Sequence, residues 1–191
     1  IYCIIKLSPT FPLYETGEDI DIFCYDIDKT ANSIIQSTST YIENGYTLNS
    51  TVHSNGNHLH LDIVWKEKIE FRFDLYQDMP TYKHINIKSG FFSHVIEQRI
   101  PKKITIQKPP YTVYTPHRQD ELIIRYLEYI EYFQHIPDKI KHADYILKQL
   151  EQTPSDISFI DVLHHYITIP PIDIESNRFN ENKKRSFLKR L

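Results

Sequence analysis

The sequence predicts an α+β fold, a mixed β-sheet with flanking helices followed by a C-terminal helical subdomain. In the runs Asn57–Trp65 and Ile69–Tyr76, apolar residues recur at every second position, the period of a half-buried strand. From Glu121 onward they recur at helical spacing, and strands followed by helices in separate blocks are the pattern of an α+β chain. With 191 residues, 40% of them hydrophobic, the chain is long enough to bury a real core.

Taken in order, Ile1–Leu7 is an apolar, β-branched strand, and Pro9 to Glu18 is a loop punctuated by Pro9, Pro12 and Gly17. The next strand carries Asp19-Ile20-Asp21-Ile22-Phe23. A helix is expected from an Asp28 N-cap to about Ile42, with Ile34, Ile35 and Ile42 on its apolar face and Gly45 as a left-handed cap. Tyr46–Ser54 alternates weakly, Asn55-Gly56 is a two-residue turn signal, and Asn57–Trp65 sets Leu59, Leu61 and Ile63 against His58, His60 and Asp62. After a turn at Lys66-Glu67-Lys68, Ile69, Phe71, Phe73 and Leu75 alternate with Glu70, Arg72, Asp74 and Tyr76, so these runs form an antiparallel meander.

Further strands are expected at Tyr82–Lys88, Ile104–Gln107 and Tyr111–Tyr114, with a short helix at Phe91–Gln98. Thr115 and Pro116 read as the cap and first residue of a helix running to Gln134. Helices at Pro137–Leu150 and Ser155–Tyr166 follow, with Lys139, Lys141 and His142 either facing substrate or, as is usual for such residues on an amphipathic helix, on the solvated side. The organisation is therefore a core at 1–108, a helical subdomain at 109–177 and a basic tail at 178–191. Because the chain begins in mid-strand with Ile1, it reads as part of a longer protein.

Residues i and i+2 of a strand share a face, so Asp19 and Asp21 point together while Ile20 and Ile22 enter a core. Two like charges held together raise each other's pKa unless a cation compensates, and a hard divalent ion with oxygen ligands does so. The hydrophobic strand ending at Leu7-Ser8, followed by Asp-hydrophobic-Asp-hydrophobic at Asp19–Ile22, resembles the nucleotidyltransferase superfamily with the DNA polymerase β-like fold. The overall order of elements is similar to that of uncharacterised bacterial members, some of which accompany surface-polysaccharide genes.

That resemblance implies a magnesium- or manganese-dependent enzyme moving a nucleoside monophosphate from a nucleoside triphosphate to a hydroxyl or phosphate acceptor. It implies Asp19, Asp21 and a third acid as metal ligands. Asp74 is the first choice for that acid and for the catalytic base, and Asp62 the second. Lys6, Ser8 and Arg125 would hold phosphate, Arg125 having a surface ion pair with Glu121 or Glu128 as its plainer role. Leu7 stands where the family has glycine, so the alternative is an inactive binding or assembly module of the same fold.

His58, His60 and Asp62 form a separate His-x-His-x-Asp row. Along one strand those residues spread over about 13 Å and cannot all meet one ion without a bulge. Cys3 and Cys24 lie in apolar runs and read as buried reduced thiols, which points to the cytoplasm. A net charge of −3 does not favour nucleic acid as a partner, and no run is apolar enough to span a membrane.

Overall fold

A computed structural model describes residues 1–168 except 9, 54–55, 84, 107–108, 134 and 153–158; the side chains of 150 and 159–162 also fall outside the description. The expectations at Asn55, at the start of the helix from Ser155, and for the tail at 178–191 lie outside the described residues. The fold is α+β with a mixed sheet. It divides into two compact units, Ile1–Pro80 with Phe92–His117, and Thr81–Phe91 with the described residues from Arg118 on.

The first unit is built on β1 (Tyr2–Ile4), β2 (Glu18–Cys24), β3 (Thr47–His53), β4 (His58–Trp65) and β5 (Lys68–Tyr76), in the spatial order β1-β2-β5-β4-β3. The meander β3-β4-β5 is antiparallel as expected, β1 runs antiparallel to β2, and β2 joins β5 in parallel. The crossover between β2 and the meander holds α1 (Ile27–Ser37) and α2 (Ser39–Glu43) where one helix was expected. Asp26, rather than Asp28, is the N-cap, its carboxylate accepting the Lys29 N–H at 2.8 Å. Thr38 ends α1 by turning both its N–H and its hydroxyl onto the Ile34 carbonyl, each at 2.9 Å. Ile34 and Ile35 pack on the core, but Ile42, beyond the break, is 42% exposed.

One face of the sheet is apolar. Ile20, Ile22, Leu59, Leu61 and Leu75 form a buried cluster with Ile27 and Ala31 of α1, and Cys24 lies among them as a free thiol; Cys3 is likewise buried and reduced. Leu7 packs against this cluster, so its side chain is turned to the core. The hairpin β7 (Ile100–Ile104) and β8 (Tyr111–Thr115) adds Ile104 and Val113. β7 starts earlier than the expected Ile104–Gln107 strand and accommodates Pro101 because a two-stranded ribbon leaves one edge of each strand without ladder bonds.

Register in the β4–β5 hairpin is decided by a conflict. The turn has two central residues, Lys66 and Glu67, both with positive φ (47° and 66°), and it pairs Trp65 with Lys68. Continued unchanged, that pairing would set His60 opposite Phe73 and put the polar side of one strand with the apolar side of the other. A shift at Ile63/Val64 leaves Glu70 as an extra residue on β5, and from Ile63↔Phe71 onward like faces like.

The second unit contains α4 (Arg118–Tyr132), α5 (Ile140–Gln152) and α6 (Phe159–Tyr166), with a 3₁₀ turn at Pro137–Lys139. The expected Tyr82–Lys88 strand is reduced to β6 (Asn86–Ile87), paired with β9 (Ile167–Thr168). α4 starts three residues later than Thr115, because Thr115 continues the β8 ladder by pairing with Ile100. His142 is buried rather than solvated, its Nε2 lying 3.2 Å from Glu128, which also takes Lys139 at 2.9 Å. Among the described residues, no helix is long and apolar enough to cross a membrane.

Neither Lys66 nor Glu67 is suited to a left-handed conformation, which costs L-residues about 1–2 kcal/mol each. Replacing the pair by Asn-Gly stabilises the protein by about 1 kcal/mol and raises Tm by about 2–4 °C. Thermal unfolding followed by circular dichroism checks this, and an unchanged or lower Tm would contradict the turn assignment.

Candidate functional site

The face of the sheet opposite the core is polar, and its side chains stand in cross-strand rows. Asp21 of β2, Asp74 of β5, His60 of β4 and Thr51 of β3 are mutual neighbours in register. The adjacent row on one side is Asp19, Arg72, Asp62 and Asn49; on the other it is Phe23, Tyr76, His58 and His53. Strands about 4.8 Å apart bring each residue of a row within reach of the next.

Each acid meets a different partner. Lys6, just past β1, reaches Asp21 with Nζ–Oδ2 at 2.8 Å. Asp62 accepts a two-pronged hydrogen bond from Arg72, Nε to Oδ1 at 2.7 Å and Nη2 to Oδ2 at 3.0 Å, which holds the guanidinium firmly protonated. Asp74 meets two histidines. Nε2 of His58 and Nε2 of His60 each stand 2.7 Å from the same Oδ1.

Asp19 bears the electrostatic conflict. Desolvation raises its pKa above the ordinary value, Asp74 and Asp21 add to the rise, and Arg72 and Lys6 oppose it. His60 is pushed below its ordinary value by burial, against the pull of Asp74 and with His58 acting in the same downward direction. The rings are also packed: Tyr76 stacks on His58 at 4.2 Å and 12°, and His53 lies 4.4 Å from His60 between centroids. At the end of the face, Phe92 of α3 (Phe91–Glu97) covers Phe23 at 5.0 Å.

Lys6, Asp19, Asp21 and Asp74 are thus brought together on one face. Ser8 lies in the loop after β1, sharing a 2.8 Å hydrogen bond with Thr10. Arg125 belongs to the second unit, where Nε and Nη2 donate to Glu121 at 2.9 and 2.8 Å and the guanidinium lies 4.0 Å above the Tyr145 ring. Asp62, the second choice for the third acid, is occupied by Arg72, and the carboxylate that joins the histidine pair is Asp74 from the neighbouring strand. The alternation of β4 and β5 held the signal for that grouping, since matching the polar faces across the hairpin sets His60 opposite Asp74.

A cation bound beside Asp19 would offset the charges of Asp74 and Asp21, which add to the desolvation that raises its pKa. Comparisons with protein-family models, with curated proteins and with solved structures return no match.

Asp19→Asn removes one of the repelling charges and leaves its size unchanged. In the unfolded chain this carboxyl titrates at its ordinary value and in the fold it titrates higher, so its cost is absent below the ordinary value and fully present above the raised one. In metal-free buffer at neutral pH the substitution raises Tm by about 1–2 °C, a small gain because Asp19 is exposed and solvent screens the repulsion. The gain disappears at pH below the ordinary carboxylate range, and paired melts at the two pH values measure it.

Proposed function

We propose that this chain carries a nucleotidyltransferase-like domain that transfers a nucleoside monophosphate from a nucleoside triphosphate to a hydroxyl or phosphate acceptor, with Mg²⁺ or Mn²⁺ as cofactor. One observation carries the reading: Asp21 and Asp74 face each other across the parallel β2–β5 pair, with Asp19 two residues along the same side. Asp19, Asp21 and Asp74 stand on one face of two neighbouring strands, and carboxylates so grouped are the donor type that phosphoryl-transfer chemistry uses.

Asp19 and Asp21 would hold the ion with Asp74 completing the set, and the bound ion supplies charge neutralisation at the transferring phosphoryl group. Lys6, already beside Asp21, offers an ammonium to a phosphate oxygen. Asp74 takes the proton of an acceptor hydroxyl as the acceptor oxygen bonds to the α-phosphorus and the bond to pyrophosphate breaks. Leu7, packed on the core side, leaves the polar face to Lys6 and the acids.

Calorimetric titration of ATP, GTP, CTP and UTP with and without Mg²⁺ tests this on the wild type and on Asp19→Asn/Asp21→Asn. Binding of at least one triphosphate depends on the metal and weakens at least tenfold in the double variant, and pyrophosphate release with the matching acceptor falls by at least a hundredfold. Triphosphate binding indifferent to both metal and substitution would overturn the reading.

A further inference from the structure

The histidines on the polar face are not accounted for by a carboxylate metal site. A ring nitrogen of His58, a ring nitrogen of His60 and a carboxylate oxygen of Asp74 all lie within 4.8 Å of one another. We propose that these three side chains form a site for a divalent ion of the zinc class, chosen by its two imidazole nitrogens. The proposal deepens the functional reading, since Asp74 is shared, but the binding itself does not depend on a nucleotide.

The spacing argument that excludes His58, His60 and Asp62 as a set does not exclude this one. Two ligands come from β4 and the third from β5, directly opposite His60, so the donors form a triangle instead of a line. The rings close the gap along β4 by leaning together, with centroids 4.5 Å apart. Both point at the same Asp74 oxygen, at 2.7 Å each. Their directions are set by packing, His58 against Tyr76 and His60 against His53, so little side-chain freedom is lost on binding a metal.

Ligand chemistry decides the ion. Mg²⁺ prefers an octahedron of oxygens and parts reluctantly with its water, whereas imidazole suits Zn²⁺, Co²⁺ and their neighbours. Two nitrogens and one carboxylate oxygen are also the ligand count of zinc sites that keep a position open for water or substrate. The side chains are 19%, 18% and 11% exposed, enough to admit an ion and low enough to limit competing water. On this sheet the face carries an oxygen-rich end at Asp19 and Asp21 and a nitrogen-rich end at His58 and His60, with Asp74 between them.

Co²⁺ is the probe, because its visible absorption reports nitrogen ligation directly. Titrated into the metal-free protein without nucleotide, it gives a saturable band at one equivalent, and the wild-type proton spectrum shows shifted imidazole signals from two histidines. His58→Ala/His60→Ala weakens Co²⁺ binding by at least tenfold, and so does the milder His58→Gln/His60→Gln, whose melting temperature reports that it is folded; Asp19→Asn/Asp21→Asn changes the affinity less than threefold. No saturable band in the wild type would overturn the site, as would a band lost in the aspartate variant and retained in both histidine variants. Co²⁺ binding with this pattern alongside triphosphate binding indifferent to metal would leave the site standing and the nucleotidyltransferase reading refuted; the converse pair of results would do the opposite.

Discussion

The polar face depends on one extra residue. A two-residue turn between β4 and β5 dictates an odd pairing, and the alternation of both strands dictates an even one. Glu70 resolves the disagreement by standing unpaired in the β4 ladder, and it is tied on its other side, where its carbonyl accepts the Gly17 N–H at 3.1 Å and its carboxylate accepts the Thr16 hydroxyl at 2.8 Å. The bulge is therefore anchored from the turn that leads into β2. It lets one hairpin bury Leu59, Leu61, Phe73 and Leu75 on one side while setting His60 opposite Asp74 on the other.

Parallel pairing of β2 with β5 supplies the second half. Because that pairing needs a crossover, the chain between Cys24 and Thr47 is long enough to carry α1 across the apolar face. Asp26 starts α1 two residues beyond the strand, and Ile27, Ala31, Ile34 and Ile35 then meet the same cluster that Ile20 and Ile22 enter from β2. Covering one face leaves the other open. Asp19 stays exposed and Asp21 half-buried because the helix needed to join those strands packs on the opposite side, while Asp74 is buried beneath the two histidines.

Much of this was legible in the sequence, for identifiable reasons. Period-two alternation locates β2, β4 and β5 and assigns their faces, and so sets Asp19, Asp21 and Asp74 on polar sides of their strands. Local competition moved the boundaries: Asp26 rather than Asp28 capped α1, Thr38 ended it early, and Thr115 stayed in a strand instead of capping a helix. His58 and His60 were joined to Asp62 because single-strand spacing shows only neighbours along the chain. Their true partner is sixteen and fourteen residues away, and only the register of the hairpin reveals it. His142 was misjudged because a helical face that looks polar in sequence is buried when a Glu128 on another helix receives it.

The acids on this face are tolerated because the protein supplies counter-groups of its own. Lys6 meets Asp21, Arg72 meets Asp62, and two histidines meet Asp74, while Asp19 keeps a raised pKa as the residue of the conflict. These counter-groups are not equivalent. A single, partly exposed ammonium contact such as Lys6–Asp21 is worth well under the two-pronged guanidinium bond that fixes Asp62. A cation entering the face therefore meets least resistance at Asp19 and Asp21 and most at Asp62. At Asp74 the resistance depends on what enters, since an ion that accepts imidazole nitrogen can recruit His58 and His60 as ligands, whereas one that accepts only oxygen must draw the carboxylate away from both rings.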